Sequence, residues 1–177
     1  MCAASISIRP LQAQDRPVWA EMWQAYLAFY ETSVPQAVYD STFARLLGDD
    51  PQDFSGLIAE VDGAPAGLVH FLFHRHAWKI ENVCYLQDLY AAPESRGTGV
   101  GRALIEAVYA AADTAGAPSV YWLTQDFNET ARKLYDRIAA KLFWDQTEPG
   151  AGTGKVLAEE LAVATLVSSV GVLESLD

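Results

Sequence analysis

Short alternating segments and helical stripes succeed one another along this chain, with no internal repeat. Ser5 to Arg9 runs Ser-Ile-Ser-Ile-Arg, an alternation that predicts a strand. Trp19, Trp23, Tyr26, Leu27 and Tyr30 then recur at helical spacing, with Asp15 placed to cap that helix and Pro17 tolerated in its first turn. Val38 to Leu47 repeats the helical spacing weakly and stops at Gly48-Asp49-Asp50-Pro51. Phe54 to Val61 and Ala66 to Phe73 read as strands, and Asp62-Gly63 between them signals a hairpin. Ile80 to Tyr90 is a further strand region. Gly101 to Ala115 keeps Leu104, Ile105, Val108, Ala111 and Ala112 on one face, an amphipathic helix stopped by Gly116 and Pro118. Ser119 to Thr124 is a strand, and Asn128 opens a helix with Ala131, Leu134, Tyr135 and Ile138 on one side. Lys141 to Gln146 is expected as a last short strand. Pro149 to Gly154 is a glycine-rich break, and Val156 to Leu176, apolar with scattered acids, is expected to be helical.

Composition turns this pattern into one domain with a tail, residues 1–146 and 147–177. The 177 residues are 51% hydrophobic, enough for a core and against disorder. Twelve Lys and Arg face 23 Asp and Glu, a net charge of -11. No basic patch is visible, so a nucleic-acid partner is not expected; a cationic acceptor fits the field better. The tail beyond residue 141 adds one base against six acids. Cys2 and Cys84 form neither a disulfide framework nor a metal pair, which makes a reducing, cytoplasmic setting the expectation. Met1-Cys2-Ala3-Ala4 lacks a basic and an apolar leader segment, and no apolar run approaches a membrane span.

The chemistry-bearing segment is Asp88 to Ile105. It places Arg96-Gly97-Thr98-Gly99-Val100-Gly101-Arg102 between a strand and a helix. Glycines allow a tight turn and close backbone approach, and the free N–H groups of a helix start point toward an anion. Taken alone, the segment is a phosphate site or a structural turn; the flanking arginines favour the first without deciding it. The spacing is not that of the dinucleotide Gly-x-Gly-x-x-Gly turn. Gly150-Ala151-Gly152-Thr153-Gly154-Lys155 mimics a nucleotide loop, but Pro149 stands where the first glycine is needed and Val156 follows the lysine, so it reads as a linker. His70, His74 and His76 share one face of a strand, yet no carboxylate or thiol joins them at ligand spacing, so no metal is expected. They serve packing, acceptor contact or a proton relay. Cys84 reads as a small buried hydrophobe. The stripe Trp19, Trp23, Tyr26, Tyr30 is either core or the lining of an acceptor pocket.

Two motifs together make the chain resemble the GNAT superfamily of N-acetyltransferases over roughly residues 5–141. Arg96-Gly97-Thr98-Gly99-Val100-Gly101 is similar to the family's acetyl-CoA motif. Asn128-x-x-Ala131-x-x-x-Tyr135 is similar to the segment after its fifth strand, about thirty residues on. Tyr85-Leu-Gln-Asp-Leu-Tyr90 and Tyr121-Trp-Leu-Thr-Gln125 look like the bacterial branch similar to yeast histone and polyamine acetyltransferases. The resemblance implies an α/β (mixed α+β) fold. A twisted, mixed, mainly antiparallel sheet would be flanked by helices and splayed between a fourth strand near Asn82–Tyr90 and a fifth near Ser119–Thr124. It implies acetyl-CoA as cosubstrate, its pyrophosphate on the backbone of Gly97, Thr98, Gly99, Val100 and Gly101, with Arg96 and Arg102 nearby and Asn128 on the pantetheine side. A neutral amine would attack the thioester directly in a ternary complex, with a backbone N–H of Leu89 or Tyr90 on the oxyanion. Tyr135 falls where a tyrosine protonates the departing thiolate, or is a plain core residue. Asp88 is the leading base candidate and Glu81 the second, each with a structural alternative. Trp19, Trp23, Tyr26, Tyr30 and Trp78 would line the acceptor groove and meet a cation with their ring faces.

The expected function is therefore acetylation of a primary amine on a polyamine, an aminoglycoside or a lysine-bearing peptide. The alternative is a non-catalytic acyl-CoA-binding or regulatory module. The ending departs from the family pattern: Ala139-Ala-Lys-Leu-Phe143 lacks the usual Gly-Phe pair. The tail is expected to dock on the domain, to inhibit it, or to form a homodimer contact.

Overall fold

The computed structural model describes residues 4–125, 127–138 and 157–159. Six strands lie side by side in chain order in one sheet: β1 (Ile6–Pro10), β2 (Ser55–Val61), β3 (Ala64–Arg75), β4 (Asn82–Ala91), β5 (Val120–Leu123) and β6 (Leu157–Glu159). The first four are antiparallel to their neighbours; β5 runs parallel to β4 and β6 parallel to β5. Helices α1 (Arg16–Phe29) and α2 (Gln36–Leu46) cover one face of the sheet, packed through Trp19, Trp23 and Phe43. Helices α3 (Val100–Thr114) and α4 (Glu129–Ile138) cover the other, where Leu104, Ile105, Val108 and Tyr135 meet Val69, Phe71 and Leu86. The fold is the mixed, mainly antiparallel sheet between helices that the sequence led us to expect.

The β2–β3 hairpin closes in two residues. Asp62 (φ 51°) and Gly63 (φ 82°) are both left-handed, as a type I′ turn requires. The Asp62 side chain also accepts a bond from the Ser5 amide at 2.9 Å, tying the start of β1 to the turn. Asp15 precedes α1 as expected but does not cap it with its side chain. Its buried carboxylate instead accepts two bonds from Arg9, at 2.7 and 2.9 Å, and one from the Gln12 amide at 2.8 Å. A guanidinium outcompetes helix amides for the anion because both partners are charged.

Two irregularities in β4 create the site. First, β4 and β5 pair only through Cys84↔Val120 and Tyr85↔Tyr121, after which the strands part. This is the expected splay. Second, His70 pairs with Asp88 but Phe71 pairs with Leu86, so Gln87 is an extra, bulged residue. Cys84 and Leu86 point into the core under α3. Strict alternation would send Asp88 after them; the bulge reverses the parity, so that Leu89 and Ala91 join that core instead. Asp88 turns to the α1 face beside His70. Helix α3 sits close above this region: a Cβ on Gly67 would lie 2.6 Å from the Tyr90 carbonyl oxygen and 3.0 Å from Val100.

The tail departs from expectation where it is described. Leu157–Glu159 is a short strand alongside β5, not helix; a three-residue strand here completes hydrogen bonds that the edge of β5 would otherwise leave open. The expected strand at residues 141–146 lies outside the described residues.

Candidate active site

A cleft of about 850 Å³ opens where β4 and β5 part, between α1 on one side of the sheet and the first turn of α3 and the length of α4 on the other. Leu89 and Tyr90 form its β4 wall, and Trp122 and Leu123 its β5 wall. Arg96, Gly97, Gly99, Val100, Gly101 and Arg102 border one end; Asn128 and Tyr135 border it from α4 and the loop before it. The cofactor-binding residues expected from sequence thus converge on one cavity, except Thr98. Its hydroxyl donates to the Ser95 carbonyl at 2.6 Å and shapes the turn.

Gly99 starts α3 in a left-handed conformation (φ 105°) that other residues rarely adopt. No side chain caps it, and the first helical bond runs from the Ala103 amide to Gly99 at 2.9 Å. The amides of Val100, Gly101 and Arg102 therefore have no acceptor within the helix, and they face the cleft end of the helix dipole. Four bases line the cleft, Arg96, Arg102, Lys133 and Arg137, and among the described residues no Asp or Glu does. In a chain of charge -11 this local reversal of sign marks a place for an anion. The Trp122 indole N–H, buried in the wall, has no hydrogen-bond partner among the described residues. Open amides, a cluster of cations and an orphan donor together suit a polyphosphate carrying an amide-rich arm.

Tyr135 is buried against the Trp122 ring, with centroids 5.0 Å apart. Burial, and secondarily Tyr30, push its hydroxyl well above the ordinary tyrosine value, so it carries its proton at neutral pH. The opposite end of the cleft is aromatic: Tyr26 and Phe29 from α1, and Tyr30 just after it, meet Phe127 from the loop before α4. Asn128 donates to the Tyr30 hydroxyl at 3.4 Å and accepts from the Ala131 amide, bridging α1 and α4 across the cleft.

The remaining expected residues lie elsewhere. Trp19 is fully buried and stacks on Trp23 at 5.1 Å; both belong to the core between α1 and the sheet rather than to an acceptor pocket. Their indole nitrogens are spent on His70 and Asp88. Trp78, 75% exposed, stands beside His76 on the β3–β4 loop, away from the cleft. Glu81 is exposed and 3.9 Å from Lys79, with no approach to the cavity. Asp88 is buried and does not line the cleft itself. His74 bonds Tyr121, and no group of three potential metal ligands exists among the described residues. Burial pushes the Cys84 thiol up to about 12, which keeps it out of nucleophilic chemistry.

Sequence reasoning missed Phe29, Phe127, Lys133 and Arg137. The two cations recur at i and i+4 on α4, a spacing that was available as a signal. Phe29 and Phe127 lie outside any stripe, and only the fold brings them together.

Known proteins resemble this chain in sequence and in fold. The model of the Acetyltransferase (GNAT) family matches residues 19–139. The D-amino-acid N-acetyltransferase of Saccharomyces cerevisiae is 36% identical over 137 residues, 77% of this chain and 85% of that protein. The thialysine N-epsilon-acetyltransferase of Sus scrofa is 32% identical over 127 residues, 65% of this chain and 72% of that protein. Among solved structures, a ribosomal-protein-alanine N-acetyltransferase from Brucella melitensis biovar Abortus 2308 superposes with a TM-score of 0.66 at 24% identity, covering 83% of this chain and all of that one.

Proposed function

With the chain belonging to the Acetyltransferase (GNAT) family as premise, we propose that it acetylates the primary amine of a small amino-acid-like molecule by direct attack on acetyl-CoA. The observation that carries this reading is the basic, amide-lined end of the cleft facing an aromatic end across the splayed sheet. A polyanion enters from the α3–α4 side and an amine from the α1 side, and they meet beside Tyr135. The relatives point the same way for the acceptor: one is named for D-amino acids and one for thialysine. Both are amines, and an ammonium group meets the ring faces of Tyr26, Phe29, Tyr30 and Phe127 favourably.

Acetyl-CoA, when bound, supplies the thioester carbonyl and the thiol leaving group. The amides of Val100, Gly101 and Arg102 hold its phosphates, with Arg96, Lys133 and Arg137 compensating charge. Among the described residues, the edge of β4 beyond Tyr85 has no strand partner on the β5 side, which leaves its backbone open to the acyl arm. Tyr135, kept protonated by burial, is the acid for the departing sulfur. Phe29 and Phe127, both partly exposed, present apolar ring faces at the acceptor end.

Titration with acetyl-CoA by calorimetry, followed by thiol release in the presence of an amine panel, tests the reading. Saturable one-to-one binding with turnover on thialysine or a D-amino acid is the expected result. Binding without turnover on any amine would make the protein an acyl-CoA-binding module instead. No binding by folded protein would remove the site.

A further inference from the structure

The bulge in β4 is pinned from behind by a buried polar network. The Trp19 indole nitrogen can only donate, and it meets His70 Nε2 at 2.8 Å, so the ring proton of His70 sits on Nδ1. That Nδ1–H donates to Asp88 Oδ2 at 2.9 Å, and the Trp23 indole N–H donates to the same oxygen at 3.2 Å. All four side chains are buried. A β4 without its extra residue would carry Asp88 away from these donors into the apolar core under α3, so the network makes the bulge obligatory. The residue left over is Gln87. It is exposed, it lines the cleft, and its side-chain amide has no hydrogen-bond partner among the described residues. Its place along the strand assigns it to the acceptor end. Ala91 leads toward the glycine-rich start of α3, and Gln87 lies four residues upstream, about 13 Å along an extended strand. Tyr85, where β4 and β5 part, comes two residues before it. Asp88, the residue after it, is held by Trp23, and the same helix brings Tyr26 to the cleft one turn later.

We propose that Gln87 is the residue that selects the acceptor, and that it selects an amine standing next to a carboxylate. The inference rests on the acetyl-transfer reading of the site and narrows its acceptor class. A primary amide carries an acceptor oxygen and an N–H₂ donor on one carbon. The Gln87 oxygen takes an N–H of the amine and leaves the nitrogen lone pair for the thioester. The Gln87 N–H₂ donates to the carboxylate of the same molecule, a bond strengthened by the charge of its acceptor. One amide reaches both groups only when amine and carboxylate share a carbon. The rings of Tyr26, Phe29, Tyr30 and Phe127 then border the acceptor's side chain. A polycation fits less well, because Gln87 is neutral and among the described residues no Asp or Glu lines the cleft to pair a second ammonium.

The test compares D-phenylalanine with phenethylamine, the same molecule without its carboxylate, in wild type, Gln87→Ala and Gln87→Glu at one pH. Spermidine and thialysine complete the panel. Wild type should favour D-phenylalanine in kcat/KM by about 10- to 150-fold, the range of one hydrogen bond to a charged group. In Gln87→Ala the two amines should come within about threefold of each other, through loss on D-phenylalanine alone. Gln87→Glu should invert the preference, because a carboxylate at that place repels the one on the acceptor and attracts an amine that lacks it. The acetyl-CoA Kd should stay within about twofold in both variants, and Tm within about 2 °C, since the side chain is exposed and lies away from the phosphate end. A preference unchanged in Gln87→Ala, or equal losses on both amines, overturns the selection while leaving acetyl transfer intact. So does a wild type that prefers phenethylamine or spermidine, or that acetylates thialysine on its side-chain amine faster than on its α-amine. A wild type that binds acetyl-CoA but acetylates none of the four amines overturns both.

Discussion

Gly99 turns the chain into α3 at φ 105°, and that angle allows one substitution to be costed. A Cβ added there meets Ile6 Cδ1 at 3.6 Å, an ordinary contact. The penalty of Gly99→Ala is thus backbone alone, about 1–2 kcal/mol for an L-residue held in the left-handed region. In a chain of this size that lowers Tm by about 2–8 °C. Binding suffers more. Relief of the strain re-aims the amides of Val100 and Gly101, and a hydrogen bond to a charged group contributes about 1.5–3 kcal/mol. Losing one weakens acetyl-CoA affinity by about 10- to 150-fold. Gly101→Ala is the internal contrast. Gly101 is helical, and its added Cβ would lie 3.2 Å from Leu134 Cδ2, the end of a flexible side chain. Its Tm should move by less than about 2 °C and its Kd by less than about threefold, since alanine's helix preference offsets the contact. Thermal melts and calorimetric titrations of the two variants read both numbers. A Gly99→Ala protein that matches wild type in both, or a Gly101→Ala protein equally damaged, refutes the reasoning.

Tyr135→Phe should lower kcat about 10²-fold with acetyl-CoA affinity within about threefold; a wild-type rate at pH 7 would remove its role as acid. Lys133→Ala and Arg137→Ala should each weaken acetyl-CoA binding about three- to tenfold and reduce its salt dependence. Arg102→Ala should do less, because Glu106 already holds that side chain at 2.7 Å; a larger loss at Arg102 than at both α4 positions would contradict the assignment. Arg9 holds the Asp15 carboxyl below its ordinary 3.8, so the native state binds this proton less readily than the unfolded chain. The stabilisation is complete above the ordinary value and disappears as pH falls through the depressed one. Asp15→Asn should therefore cost about 1–3 kcal/mol at pH 7. In urea melts the gap to wild type should close as pH drops below 3.8; a gap that does not change with pH speaks against the ion pair.

Elements whose pattern is set locally were legible in the sequence. The stripe of α3 reads off Leu104, Ile105 and Val108 because one face of a surface helix must meet the sheet, and Asp62-Gly63 reads as a hairpin because few residues accept two left-handed angles in succession. The glycine-rich start of α3 was legible for the same reason. What escaped was set by parity and by long-range competition. The bulge at Gln87 leaves no mark in composition, yet it decides which face Asp88 occupies. Trp19 and Trp23 share their helical stripe with Tyr26, and spacing alone does not say where core gives way to cavity along one helix. Asp15 carries the sequence signature of a cap, and only the fold brings Arg9 close enough to take it. Lys133 and Arg137 were masked by an acidic total that says nothing about where the few bases gather.

The two-pair junction between β4 and β5 has a consequence beyond catalysis. A sheet joined across its middle by so short a seam is two half-sheets, and whatever fills the gap beyond Tyr85 also braces it. By mass action, a molecule that binds only the folded chain at a hundred times its Kd adds about 2.7 kcal/mol to stability. That is a large share of the margin that keeps a domain of this size from proteolysis. An acyl donor bound in the gap would therefore act as a brace between the two half-sheets, and protection from protease should rise with its concentration.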